Sequence, residues 1–117
     1  MIELYNDDFD EKVARKYLEL RSKLGNNLIK VEGDRISKSI TAYVYKKVEI
    51  EGIKLLSVED LIKESLSSVS GISFEIKGKD VVIKVETLRP EIYEEISVTL
   101  YEIEKRLGIK LNVSYIT

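Results

Sequence analysis

The apolar residues of the chain recur with two periods, one typical of helices and one typical of strands. Spacings of three and four residues predict amphipathic helices over 8–24, 58–69 and 90–107. A polar capping sequence precedes the first two helices, Pro90 opens the third, and a glycine follows each. The apolar stripes are Phe9, Val13, Tyr17, Leu20 and Leu24, then Val58, Leu61, Ile62, Leu66 and Val69, then Ile92, Tyr93, Ile96, Leu100, Ile103 and Leu107.

Alternating apolar and polar residues predict strands between the helices. A hairpin is predicted over 72–86 around Gly78-Lys79, and a last strand over 111–115. The earlier predicted strands are Met1–Tyr5, then Leu28–Glu32 and Arg35–Tyr45 around a turn at Gly33-Asp34, then 48–55 with a turn or bulge at Glu51-Gly52. β-Branched residues favour a strand for 36–47, and a helix there is the alternative.

The predicted order of elements, (β)-α-β-β-β-α-β-β-α-β, is typical of an α+β fold. We expect a single domain over 1–117, with two layers: a mainly antiparallel sheet and about three helices packed on it. A shift of 45 residues brings Gly33 onto Gly78 and aligns the apolar positions of the two hairpins. This alignment favours an internal βαββ repeat, and convergent hairpin patterning is the alternative.

Composition and charge narrow the classes of function. The chain has 19 Lys and Arg residues against 21 Asp and Glu residues, so its net charge of −2 argues against binding mainly by phosphate neutralisation. Because it has neither Cys nor His, disulfides, thiolate zinc sites and the commonest general base are excluded.

The same composition bears on source and compartment. Abundant Lys, Glu and Ile with no Gln indicate a thermophilic, archaeal-like source, and A/T-rich codons in a mesophile are the alternative. Because the sequence shows neither a membrane-spanning run nor a signal peptide, we expect a cytoplasmic protein without a membrane partner.

The sequence lacks the common catalytic motifs, which favours a protein that is not an enzyme. Phosphate-loop and nucleophile-elbow motifs are absent from the sequence, so no catalytic residue, metal site or cofactor is predicted. The acidic residues Asp7, Asp8, Asp10 and Glu11 are typical of helix capping. Binding of Mg²⁺ by this cluster, in a metal-dependent hydrolase, is the minor alternative.

One predicted strand face stands out, because tyrosines and lysines alternate along it. The candidate binding residues are Lys38, Thr41, Tyr43, Tyr45, Lys46 and Lys47. These tyrosines could be core residues under a helix, anchors of a protein interface, or stacking platforms for unpaired bases. We expect a non-catalytic binding or assembly module, a homodimer or a subunit of a complex, with self or another protein as partner. Nucleic-acid binding is the alternative.

Three resemblances accompany this interpretation. The segment LIKVEGDRISKSI at 28–40, through Lys30, Gly33, Ile36, Ser37 and Lys38, resembles the segment leading into the second helix of Alba-type archaeal chromatin proteins, which implies nucleic-acid binding. Residues 46–107, with the hairpin ISFEIKGKDVVIKVE, resemble the small dimerising subunit of the KEOPS tRNA-modification complex in their β-α-β-β-α order. The order of elements over 8–107 is similar to that of type III secretion chaperones, a likeness of fold alone.

Overall fold

The computed structural model describes residues 8–86 and 89–116. These residues form helices α1 (Asp8–Leu24), α2 (Val58–Ser65) and α3 (Tyr93–Leu107), and strands β1 (Leu28–Asp34), β2 (Ser39–Val44), β3 (Lys54–Ser57), β4 (Ile72–Lys77), β5 (Asp80–Glu86) and β6 (Leu111–Ile116). The predicted α+β order is confirmed over this part of the chain, and 39–44 is a strand. The strand predicted over Met1–Tyr5 lies outside the described residues.

The strands form two mixed sheets of three strands each. In the first sheet, of order β1-β2-β3, β2 is antiparallel to β1 and parallel to β3. The second sheet, of order β4-β5-β6, repeats this plan, with β5 antiparallel to β4 and parallel to β6. The expectation of one mainly antiparallel sheet is therefore corrected, because periodicity along the chain does not specify which distant strands pair.

The connections to the parallel strands differ between the two sheets. The chain passes through α3 between β5 and β6, whereas residues 45–53, which form neither helix nor strand, lead from β2 to β3. The strand predicted over 48–55 is thus replaced by a loop and the short β3. The hairpin turns also differ, with four residues at 35–38 and two at Gly78-Lys79. The two halves of the predicted repeat therefore have the same strand order within each sheet. The 45-residue alignment nevertheless fails at β2, because the two hairpin turns differ in length.

Strand β2 is buried on both faces. Ala42 and Val44 are fully buried beside Leu20 of α1 in a smaller apolar cluster. Tyr43 and Tyr45, on the opposite face, are 3% and 7% exposed and belong to a larger cluster with residues of α2, α3 and the second sheet. The first sheet therefore lies between two apolar layers.

The larger cluster is built on the central strand of the second sheet. Val81, Ile83 and Val85 of β5 are fully buried beneath the apolar stripes of α2 and α3. The alternate residues of β4 and β6 are exposed, so the opposite face of this sheet meets solvent. Among the described helices, none is long and apolar enough to cross a bilayer.

Gly33 marks the place where α1 packs closely on β1. A Cβ atom at this position would lie 2.5 Å from Cγ2 of Val13 and 2.9 Å from the ring of Phe9. The predicted turn at Gly33-Asp34 is wrong for Gly33, which lies in β1. The turn begins at Asp34, whose carboxylate accepts the backbone N–H of Ile36 at 2.9 Å. The absence of a side chain at Gly33 therefore serves helix packing.

We expect Gly33→Ala to lower the free energy of unfolding by about 1–3 kcal/mol, because the added methyl group displaces α1 from β1. Denaturant unfolding followed by circular dichroism measures this change. Val13→Ala vacates the space that the new methyl group needs, so the double variant should lose less than the sum of the two single variants. Strictly additive losses would contradict the close approach of α1 at this position.

Candidate functional site

The six residues predicted as one binding face do not form one surface. Lys38 ends the β1–β2 turn with a φ of +57°, and its Nζ lies 5.0 Å from the centroid of the Phe9 ring. Thr41 is half-buried within β2, and Lys46 and Lys47 are exposed beyond its far end. The six residues of β2 lie between Lys38 and Lys46, and at about 3.3 Å per strand residue they span about 20 Å.

Tyr43 and Tyr45 point into the larger cluster rather than to solvent. Of the three interpretations that the sequence left open, burial in the core describes both rings, since at least nine-tenths of each residue is buried. β2 also has no free edge with which to pair with a partner, because it is the central strand of its sheet.

Tyr43 lies in a polar network that joins the first sheet to the end of α3. Its hydroxyl accepts a hydrogen bond from Arg106 at 2.8 Å and is also hydrogen-bonded to Glu32. Lys30 donates to the backbone carbonyl of Arg106 at 2.9 Å and pairs with Glu32 at 2.8 Å. The ring of Tyr43 lies 5.9 Å from Lys30 and 5.4 Å from Arg106.

This network shifts the ionisation of its members. Burial, and next the hydrogen bond to Glu32, raise the pKa of Tyr43, while Arg106 opposes the rise. The hydrogen bond from Lys30 is the main reason that the pKa of Glu32 is lowered. The contacts of Glu32 and Arg106 with Tyr43 could not be predicted from the sequence. Arg106 lies 63 positions after Tyr43, and no local pattern links the two.

Tyr45 borders a cleft at the start of α2, which we call the α2 cleft. Its volume is about 210 Å³. The lining residues are Tyr45, Lys46, Lys47, Ser57, Glu59, Phe74 and Ile76. Burial raises the pKa of Tyr45. The structure thus brings three of the six predicted residues to one place, although not on the surface that was expected.

Asn27 fixes the backbone of Lys46, which lines the α2 cleft. Its side-chain amide donates to the carbonyl of Lys46 at 3.0 Å and accepts the backbone N–H of Lys46 at 2.8 Å. The backbone N–H of Tyr45 donates to the carbonyl of Asn27 at 2.9 Å. These bonds extend the β1–β2 pairing past the end of the strand and fix the backbone between Tyr45 and Lys46.

A second and larger groove, of about 560 Å³, follows the connection between β2 and β3. Its lining alternates apolar residues that pack on the smaller cluster with charged residues that face solvent. These residues are Lys47, Val48, Glu49, Ile50, Glu51, Ile53 and Leu55. No nucleophile and no set of converging polar groups accompanies the groove among the described residues.

The acidic residues around the start of α1 are mostly engaged in ion pairs. Asp10 pairs with Arg35, and Glu11 pairs with Arg15 at 3.2 Å. Asp7 lies outside the described residues. Within 8–86 and 89–116, no three acidic side chains come together as a metal site would require.

No family model matches the chain, and no curated protein matches it either. The sequence resemblances therefore stand on their motifs alone. The Alba-like segment implies a helix after residue 40, but β2 occupies that position, so this expectation is corrected. The β-α-β-β-α and α-β-β-β-α-β-β-α orders of the other two resemblances are present, which is a likeness of element order only.

The buried rings predict a loss of stability when they are truncated. Tyr43→Ala and Tyr45→Ala should each cost about 3–5 kcal/mol of unfolding free energy, since both leave a large cavity. Tyr43→Phe should cost about 1 kcal/mol through its lost hydrogen bonds, whereas Tyr45→Phe should cost almost nothing. Thermal unfolding of the four variants measures these differences. Alanine variants as stable as the wild type would show that the rings lie outside the core.

The raised pKa values of Tyr43 and Tyr45 predict a loss of stability in alkali. Above the ordinary tyrosine pKa of about 10, the folded chain keeps protons that the unfolded chain has released, so the free energy of unfolding falls as pH rises through this window. Urea unfolding between about pH 9 and pH 11 measures the slope.

The variant Tyr43→Phe with Tyr45→Phe should flatten this alkaline slope, because it removes both titrating hydroxyls. Tyr17→Phe is the matched control, because Tyr17 is an exposed tyrosine of α1 that takes part in neither cluster, and this variant should leave the slope unchanged. A double variant with the wild-type slope would mean that other groups cause the alkaline loss.

Proposed function

We propose that this protein is a non-catalytic assembly module that forms homodimers by pairing β6 with its copy. The observation that carries the proposal is the composition of β6, a six-residue strand at the end of its sheet with no charged side chain. Among the described residues, no strand pairs with its outer side. A free strand edge without charges is a template for pairing with another chain.

The other strands at sheet ends carry the features that oppose such pairing. β1 contains Lys30, Glu32 and Asp34, and β4 contains Glu75 and Lys77. β3 is only four residues long and begins with a lysine. Charges and short length are the usual protection of sheet edges, so β6 is the one described edge that lacks both.

The exposed side of α3 supports the same interface. Ser97 and Glu104 contact β6 through the hydroxyl of Tyr115 and the backbone N–H of Leu111, so this flank of α3 faces the β6 edge. Tyr101 lies one turn from Ser97 on that flank and is 59% exposed. An apolar aromatic residue beside an uncharged strand edge is typical of an interface.

The usual spacings of strands and helices support the pairing of two copies at this edge. Strands in a sheet are about 4.8 Å apart. If α3 lies above the β5–β6 pair that it connects, joining two β6 strands places the two α3 axes about 10 Å apart, the spacing of packed helices. Antiparallel pairing gives a twofold interface, in which Tyr101 and the neighbouring Val98 of each copy approach the other helix.

The other functions considered from the sequence have less support. Base stacking needs exposed rings, but Tyr43 and Tyr45 are buried. Metal-dependent hydrolysis at the start of α1 needs free carboxylates, but Asp10 and Glu11 are paired with arginines.

We expect the wild-type protein to have twice the 13.4 kDa mass of one chain in light scattering coupled to size-exclusion chromatography. Ser114→Lys should convert it to a monomer, because it places one lysine from each copy on the joined β6 strands, where the two positive charges repel each other. Ser73→Lys is the matched control on the opposite edge of the same sheet, and it should remain dimeric.

A cooperative thermal unfolding transition of Ser114→Lys would establish that the variant is folded. Tyr101→Ala tests the contact between the α3 helices without changing the strand. A wild-type mass of one chain throughout the micromolar range would refute the dimer. A dimer that Ser114→Lys leaves intact would refute the β6 edge as its interface.

A further inference from the structure

The α2 cleft is lined mainly by groups that donate hydrogen bonds. Lys46 and Lys47 contribute two exposed ammonium groups, and neither has an ion-pair partner among the described residues. The acidic residue in the lining, Glu59, is held by Lys63 one helical turn further along α2, at 2.9 Å. The cleft therefore presents positive charge that this part of the chain does not neutralise.

The hydroxyl of Tyr45 is a donor without a partner in the described part of the chain, and Tyr45 lines the same cleft. Tyr45 is 93% buried, since its exposed fraction is 7%, yet its hydroxyl has no hydrogen-bond partner among the described residues. No fully buried side-chain oxygen in this part of the chain lacks a partner, so the hydroxyl reaches solvent. It does so in the α2 cleft, which Tyr45 lines. The ordinary pKa of a tyrosine is about 10 and burial raises that of Tyr45 further, so the hydroxyl is protonated at neutral pH and can donate a hydrogen bond.

The first turn of α2 adds one backbone donor. The Ser57 hydroxyl accepts the N–H of Asp60 at 3.2 Å, which satisfies one of the free N–H groups at the start of this helix. Val58 is fully buried, whereas the N–H of Glu59 has no partner within the helix and lies at its positive dipole end. Phe74 and Ile76, both half-buried, form the apolar wall opposite.

We propose that the α2 cleft binds a small phosphate monoester. The phosphate is held by Lys46, Lys47, the hydroxyl of Tyr45 and the backbone N–H of Glu59, and the ester group packs against the apolar wall. Two ammonium groups, a phenol and a backbone N–H match the double charge and three terminal oxygens of a phosphate monoester better than the single charge of a carboxylate.

The cleft has room for a small anion. Its volume of about 210 Å³ accommodates a phosphate with a compact substituent. The cleft lies at β4, across the second sheet from β6, so ligand binding and dimer formation are separate properties.

The test is a titration of the ¹⁵N-labelled protein with millimolar inorganic phosphate and then phenyl phosphate, followed by backbone amide shifts. We expect saturable shifts at Lys46, Lys47 and Glu59, with phenyl phosphate the tighter ligand because its ring meets Phe74. Tyr45→Phe should weaken binding about tenfold while the protein stays folded, because it removes only the donor hydroxyl. Lys46→Gln with Lys47→Gln should abolish binding.

Lys12→Gln with Lys110→Gln is the matched control, since it removes two exposed lysines far from the cleft and should leave the titration unchanged. Absence of saturable shifts in the wild type would overturn the proposal. Equal affinity in wild type, Tyr45→Phe and the double lysine variant would overturn it as well, by showing diffuse attraction of anions. Acetate that binds as tightly as phosphate would overturn the assignment to a phosphate ligand.

Discussion

The burial of β2 on both faces is the constraint on which the rest of the structure depends. A strand with apolar layers on both sides needs elements above and below it, and α1 supplies one layer while α3, α2 and the second sheet supply the other. The small side chains of Ala42 and Val44 let α1 approach closely. The long side chains of Tyr43 and Tyr45 reach across to the opposite layer, where each hydroxyl ends at a polar boundary.

These two tyrosines show how neighbouring core positions acquire different chemistry. Tyr43 ends against Arg106 and Glu32, so its hydroxyl is fully engaged in joining the first sheet to α3. Tyr45 ends beside the first turn of α2, where Asn27 fixes the adjoining backbone. The same amphipathic side chain therefore completes a structural network in one case and leaves a free donor at a cleft in the other.

Local signals in the sequence predicted the three helices and the second hairpin, although α2 ends at Ser65 rather than at 69 and α3 begins at Tyr93 rather than at 90. α1 spans Asp8–Leu24 as predicted, because its apolar spacing and the glycine at its end both act within a few residues. Strand pairing could not be predicted in this way, since the parallel β2–β3 and β5–β6 pairs join segments that no periodicity connects. Tyr43 and Tyr45 were ambiguous for a similar reason, because a tyrosine suits a core, an interface or a stacking site, and only the arrangement of distant elements decides among them.

The shallow attachment of α1 has a consequence for the dynamics of the fold. Only Phe9 and Leu20 of its 17 residues are buried, and the smaller cluster beneath it draws on residues 20–55, whereas the larger cluster is assembled mainly from later segments. From this difference in burial we expect the two clusters to differ in local stability. We expect amide hydrogens of α1 to exchange through a partial opening that leaves β5 protected, so that the first sheet loses its cover before the fold as a whole is lost.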